Sequence, residues 1–274
     1  MNRNLFYLMC FTTLLFITFS CTTPRYVYSP SAQNVPVLTK KGDSKLGAVY
    51  STNFVGEEKR DGKVIDNRSR GYDLHAAVAI TDNFAVQAGH FYRWEKSEGG
   101  PDSLTLKYKR NLTEFGLGYY MPINDKGNVF FQIFVGAGVG RFSFTDIDKF
   151  GNNFHQANIV KVYLQPAIQF RSKGSFTTSI ALRASNINYS KIKTSYSPGQ
   201  LNDYHLEDLN RRGKWFFEPA TVSSFGFKNL PGLRFEIQGG LSFLMSRNFI
   251  DYRLFNFSAG TWIDIRSLFK KNSP

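Results

Sequence analysis

The sequence is poor in cysteine, in histidine, in acid and in long apolar runs. Cys10 and Cys21 are the only two cysteines in 274 residues, and Cys10 lies inside the apolar N-terminal stretch. A chain left with Cys21 alone has no internal disulfide framework, so Cys21 needs another reason to exist. The four histidines, His75, His90, His155 and His205, are scattered without paired metal spacing, and neither a metal nor a cofactor is expected. The glycines at 136–140 lie inside a strand-like pattern with no helix after it, which excludes a phosphate loop. Beyond the N-terminal stretch, Gly, Gln or Arg breaks every apolar run within about ten residues, too few for a membrane helix. Lys and Arg outnumber Asp and Glu by 34 to 21, a formal net charge of +13. The cations are spread along the chain rather than clustered. Nucleic acid is therefore not the expected partner, and anionic lipid headgroups or lipopolysaccharide fit better.

The N-terminus reads as a secretory signal over 1–20: Asn2, Arg3 and Asn4, then an apolar core from Leu5 to Phe19. "TFSC" at 18–21 resembles the bacterial lipoprotein box, which is cut before a cysteine that then carries lipid. It departs from that box by placing Thr18 where Leu is common. Residues 21–43, with "YSPSAQNVPVLTKKGDS", have no periodicity and read as an extended tether between the lipid and the fold.

What the chain does have is aromatics, glycine and alternation: 27 Phe, 14 Tyr and 23 Gly. From residue 44 the pattern has a period of two. "GYDLHAAVAIT" sets Tyr72, Leu74, Ala76, Val78 and Ile80 against Asp73, His75, Ala77 and Ala79. "VKVYLQPAIQF" sets Val160, Val162, Leu164, Ile168 and Phe170 against Lys161, Tyr163, Gln165, Ala167 and Gln169. Successive strand side chains point to opposite faces. The alternation predicts about ten strands near 45–54, 70–81, 84–97, 104–123, 129–147, 155–172, 176–194, 215–228, 233–248 and 253–267. Connections after the second, fourth, sixth and eighth strands are tight. Those after the first and seventh are long and polar, those after the third and fifth are intermediate, and the one after the ninth is short, an exception to the alternation. Short periplasmic turns and long external loops mark outer-membrane barrels. The expectation is an all-β fold over 44–269, a single antiparallel up-and-down transmembrane β-barrel, with a tail at 270–274. An even strand number then places both barrel ends in the periplasm, with the lipid on Cys21 anchored there too. A soluble ligand-binding barrel is the alternative fold.

The polar face is mostly Gly, Ala, Ser and Gln in mid-strand, which suits a crowded lumen rather than a solvated surface. The charges expected inside are Asp73, Arg93, Glu114, Lys161, Arg183, Glu218, Glu236 and Asp264. Such charges should pair into a plug, because an unpaired buried charge is costly; the alternative is a narrow solute or ion path. Aromatic girdles are expected at the two rims: Tyr119, Tyr120, Phe130, Phe131, Phe225 and Phe227 on the turn side, and Tyr92, Trp94, Phe142, Phe144, Trp215 and Phe217 on the loop side. In "SAGTWIDI", Ser258, Gly260, Ile263 and Ile265 resemble the signal read by the barrel-assembly machinery, an expected partner during folding. The chain departs from that signal by continuing through "RSLFKKNSP".

"NDYHLED" holds Asp203 and His205, a pair that can activate water. It resembles the Asp-His pair of the omptin proteases. That family also carries an acidic pair across the rim, and "GGPDS" offers only Asp102. Over the mature chain, "CTTPRYVYSPSAQNVP", "GYDLHAAVAIT" and "FAVQAGHFY" resemble small outer-membrane β-barrel lipoproteins of Gram-negative bacteria, especially of the Bacteroidota. The resemblance implies a fold and a location and no activity. A non-enzymatic structural or surface-interaction role through loops 55–69 and 195–214 is the expected function, with transport and omptin-like hydrolysis as alternatives.

Overall fold

A computed structural model describes residues 24–53, 57–60, 63–66, 69–98, 104–148, 151–172, 176–227 and 230–266. The signal segment, Cys21, Asp102 and the tail at 270–274 lie outside the described residues. In chain order the elements are β1 (Ser44–Thr52), β2 (Glu57–Arg60), β3 (Lys63–Asp66), β4 (Ser69–Ala79), β5 (Phe84–Glu98), β6 (Thr105–Pro122), β7 (Val129–Asp148), β8 (Gly151–Arg171), β9 (Phe176–Thr194), α1 (Pro198–Asp203), β10 (Lys214–Phe227), β11 (Leu230–Leu241), β12 (Phe243–Leu244) and β13 (Phe255–Ile263).

Ten of these strands close into one antiparallel barrel in the order β1-β4-β5-β6-β7-β8-β9-β10-β11-β13, and β13 returns to β1. Each strand pairs with its neighbour in sequence, so the barrel is up-and-down, and closure removes both sheet edges. The seam runs from Leu46 opposite Ile263 to Thr52 opposite Phe257. It is locked at its base by Asp264, whose Oδ1 accepts from the Ser44 amide at 3.3 Å and the Ser44 hydroxyl at 3.0 Å. The short β12 extends the β10 pairing past β11, and β2–β3 is a separate hairpin in the β1–β4 connection.

The connections β4–β5, β6–β7, β8–β9 and β10–β11 are tight and gather at one end of the barrel; the long ones lie at the other, together with the short β7–β8 connection between Asp148 and Gly151. At the turn end, the Asn124 side chain accepts from the amides of Asn128 and Val129 at 3.2 and 3.1 Å, and Gly127 takes φ 58, a left-handed conformation that glycine adopts at little cost. At the loop end, β6, β7, β8 and β9 are 18, 20, 21 and 19 residues long. A crossing strand needs about 9–11 residues. Apart from Phe154, the outward apolar side chains of β8, Val160, Val162, Leu164, Ile168 and Phe170, lie from the middle of the strand to its turn end, so these hairpins rise well beyond the apolar band.

The largest departure from the sequence reading concerns residues 24–43. They are extended, as expected of a tether, but they do not lie outside the fold. Val27, Tyr28, Ser29, Ser31, Ala32, Gln33, Asn34, Val35 and Leu38 are all buried inside the barrel. The same short polar residues and prolines that give a linker its look also suit a strand-like strap in a polar tube. Pro30 and Pro36 leave no amide to satisfy, and Ser, Gln and Asn can donate and accept in several directions.

Candidate functional site: the filled lumen and its mouth

Alternation sorts the barrel wall into two faces. Leu46, Leu74, Val78, Phe115, Leu117, Val135, Val139, Val160, Val162, Leu164, Ile168, Ile180 and Leu182 point outward and are exposed. Asp73, Arg93, Glu114, Lys161, Arg183, Glu218 and Glu236 point inward and are buried. Seven of the eight expected charges thus line the lumen. The eighth, Asp264, follows the end of β13 and sits at the turn-end rim, where it clasps Ser44. Its position just beyond the paired strand takes it out of the luminal row.

The structure brings the luminal charges together as ion pairs. In the centre, Lys161 Nζ lies 3.0 Å from Glu114 Oε1 and 3.8 Å from Glu218 Oε2, and Arg183 lies 3.7 Å from Glu114. Arg183 also donates to Gln165 Oε1 at 2.8 and 2.6 Å. Arg93 meets Asp73 at 2.8 Å, and the Ser51 hydroxyl donates to the same carboxylate at 2.5 Å. Lys45 meets Glu236 at 2.7 Å. Higher up, Glu95 lies between Arg110, at 3.4 Å, and Arg253.

Lys45, Glu95, Arg110 and Arg253 were not picked out by the sequence reading. Strand parity carried a signal for two of them. Glu95 shares its face with Arg93, and Arg110 shares its face with Glu114.

The strap threads this network from end to end. At the loop end, Arg25 pairs with Asp146 at 2.5 Å, and its amide donates to Asp251 at 3.1 Å. The Tyr108 hydroxyl donates to the Pro24 carbonyl at 3.2 Å, and the Arg110 guanidinium donates to the Tyr26 carbonyl. Val27 donates to the Asp251 carbonyl and Arg253 to the Tyr28 carbonyl, both at 2.9 Å. Mid-barrel, the Tyr28 hydroxyl donates to Glu218 at 2.5 Å, Arg183 to the Ser31 hydroxyl at 3.1 Å, and Gln165 to the Asn34 carbonyl at 2.8 Å. At the turn end, Leu38 packs with Ala79, Ala85, Tyr120, Phe134 and Tyr163, and the Lys41 amide donates to Asp82 at 2.8 Å. The strap therefore enters from the loop end, whereas the sequence reading placed the N-terminal approach at the turn end.

Little space remains beside the strap. One residual cavity, lined in part by Ser31, Asp73, His75 and Glu114, holds about 10 Å³; another, beside Tyr28, Arg110 and Lys161, holds about 20 Å³. Each is about the room that one water needs. The wall glycines contribute to this filling. A Cβ on Gly136 would come within 2.5 Å of the Tyr163 ring, and one on Gly118 within 2.3 Å of Phe134.

Above the apolar band the lumen is aromatic. Val27, Tyr28, Phe91, Tyr108, Phe142, Phe144, Tyr189 and Phe216 pack into one core, capped by Tyr196, Leu206, Leu209 and Ile250 from the two loops at the mouth. This corrects part of the expected girdle. Phe142, Phe144, Tyr120 and Phe130 face inward. They share strand parity with Gly138, Gly140, Gly118 and Gln132, all luminal, and nearness to a strand end cannot change that. Trp94, Trp215, Phe217 and Phe225 face outward and are exposed. The side chain of Phe227 lies outside the described residues.

In the mouth, the loop 195–213 contains α1, opened by a capping box in which Ser197 and Gln200 satisfy each other's amides, with Pro198 in the first turn. His205 follows the helix at φ 54. Its Nδ1 lies 3.9 Å from Asp251, and its ring meets Phe249 edge-on at 5.0 Å. The acid beside His205 is thus Asp251, from the loop after β12, rather than the nearby Asp203. Burial raises the Asp251 carboxyl above its ordinary value, against the pull of the Arg25 amide and His205. Burial and Asp146 raise the Tyr196 hydroxyl. His75 and His155 lie in the lumen, and His90 faces outward, bonded to Thr113 at 2.9 Å. Among the described residues, no group of three or more His, Cys, Asp or Glu is placed to hold a metal.

An apolar exterior around a polar, ion-paired interior inverts the plan of a soluble barrel and suits a hydrocarbon surround. The fold is that of an outer-membrane β-barrel. No protein-family model matches the chain, and no curated protein matches it. Among solved structures it is similar to the translocator domain of autotransporter NalP from Neisseria meningitidis, at 12% identity and a TM-score of 0.45, over 81% of this chain and 88% of that one. It is also similar to outer membrane protease OmpT from Escherichia coli, at 9% identity and a TM-score of 0.39, over 81% of this chain and 95% of that one. Neither likeness carries an activity across to this chain.

The face assignment has a direct test. Leu164→Arg places a cation on the exterior, where it should destabilise the barrel by about 2–4 kcal/mol, read as earlier loss of the folded band when unboiled samples are warmed in detergent. An unchanged transition would mean that this face meets water.

Proposed function

We propose that the chain is an integral outer-membrane lipoprotein whose barrel is closed to solutes and whose work is structural, or is done by the surface at its loop end. The observation that carries this reading is the filled lumen: among the described residues, the strap, the central Lys161–Glu114–Arg183–Glu218 group and the aromatic core above it occupy the axis of the tube, and the cavities beside the strap hold about 10 and 20 Å³. Long connections belong outside in such barrels, so the mouth formed by 195–213 and 245–254 faces the exterior, and the turns face the periplasm. The mouth then offers an ordered polar platform, with α1, Arg211 and Arg212 toward solvent. Lipid and lipopolysaccharide surround the barrel, and the assembly machinery reads its last strand, where Gly260 is required by close approach: a Cβ there would come within 2.1 Å of the Ala48 carbonyl.

The protein acts without catalysis in this reading. A single His–Asp contact at 3.9 Å, with its acid partly spent on the strap amide, supplies neither a nucleophile nor a second acidic pair. The test is conductance of the purified, folded chain in planar bilayers. Silence at all voltages is expected; discrete steps would replace this reading with the narrow transport barrel.

A further inference from the structure

We infer that the mature N-terminus leaves the barrel through its outer mouth, so that Cys21 and the lipid expected on it stand on the cell-surface side of the membrane. This rests on the orientation proposed above.

The direction of the strap is fixed by contacts at both ends. Arg25 is held by Asp146 at the top of β7 and by Asp251 in the loop after β12. Tyr28 pairs in parallel with Tyr252. Lys41 and Gly42 are held by Asp82 and Ala79 at the opposite end, where the chain turns into β1. The chain therefore runs down the lumen before it builds the wall. Cys21 precedes Pro24 by three residues. Three residues span at most about 11 Å, whereas the hydrocarbon core is about 30 Å thick. From Pro24, beside Tyr108 at the mouth, Cys21 cannot reach the periplasmic leaflet by any conformation. Its way back through the lumen is occupied by the strap itself.

Two consequences follow. The acyl chains would enter the outer leaflet from the surface side. The cavities of about 10 and 20 Å³ cannot pass an acylated terminus once the wall is closed, so the barrel must close around the strap as it folds.

The test uses the full chain in cells, with one epitope at a time. The N-terminal epitope goes between Thr22 and Thr23. Reference epitopes go between Arg211 and Arg212 in the long loop, and between Asp125 and Lys126 in a turn. Each variant is first checked for the heat-dependent band shift of a folded barrel. On intact cells, the N-terminal epitope should bind antibody as the loop epitope does, while the turn epitope stays silent until the outer membrane is opened. An N-terminal epitope that behaves like the turn epitope overturns the inference while leaving the orientation intact. If the two references trade places, the orientation fails, and the surface position of Cys21 fails with it. Thr23→Cys, labelled with a membrane-impermeant maleimide, repeats the measurement without the bulk of an epitope. Labelling on intact cells is expected; labelling only after disruption would sink the inference.

Discussion

Deleting residues 25–40 is expected to turn a silent barrel into a conducting one. The deletion removes Tyr28, Ser31, Gln33, Asn34, Val35 and Leu38 from the axis of the lumen, together with their bonds to Glu218, Arg183, Gln238 and Gln165. The wall charges would keep each other: Lys161–Glu114, Arg93–Asp73 and Lys45–Glu236 join wall residues only. Water can then enter and solvate what the strap had solvated. Bilayer recordings should show discrete steps where the whole chain shows none. The same variant should carry its N-terminus on the turn side, because the shortened chain joins β1 at Ser44 without crossing the lumen. Continued silence from a variant that still shows the heat-dependent band shift would mean that the wall side chains alone close the tube.

Glu218→Leu should be the most damaging single change in the lumen. The carboxylate accepts from Tyr28 on the strap at 2.5 Å, from Ser185 on β9 at 3.0 Å and from Ser242 beside β11 at 3.1 Å, and it faces Lys161 at 3.8 Å. One residue thus ties the strap to two parts of the wall and helps to neutralise a lysine with no exposed surface. Removing one partner of a buried charge group costs about 3–5 kcal/mol, mostly because the other charge is stranded. Glu218→Gln, which keeps one accepting oxygen for Tyr28 and Ser242 but loses the charge and the second acceptor, should cost less. Tyr28→Phe added to Glu218→Leu should cost less than the sum of the two alone, since hydrogen bonds to charged groups are worth about 1.5–3 kcal/mol and this one can be lost only once. Thermal loss of the folded gel band, measured for the four variants and the unsubstituted chain, reads both effects. Strict additivity would show that strap and wall are not coupled through this carboxylate.

Much of the barrel was legible because a strand's periodicity is local. Parity alone placed Val160 to Phe170 outside and Lys161 to Gln169 inside, and the tight connections marked one end of every hairpin. Where parity was set aside, the reading failed. Phe142 and Phe144 were assigned to a girdle by their nearness to a strand end, although they continue the inward series of Gly138 and Gly140. Asp264 is a different case: parity puts it with the inward Ser258 and Trp262, but the strand ends at Ile263, one residue before it.

The strap was not legible in the same way. "YSPSAQNVPV" has no period, because it contacts walls on all sides instead of dividing two environments. A segment without amphipathicity looks alike in water and inside a polar tube. The His205–Asp251 contact was hidden for a different reason. It joins two loops that are brought together only when β9, β10 and β11 pair.

Alternation between neighbouring residues was enough to specify a closed antiparallel barrel of two-faced strands, its apolar exterior, and seven of the charges that line it. What fills the lumen, which carboxylate meets which cation, and from which end the strap enters are set by the folded chain. These depend on distances across the tube between residues as far apart as Arg25 and Asp251 or Tyr28 and Glu218, and no local pattern encodes them.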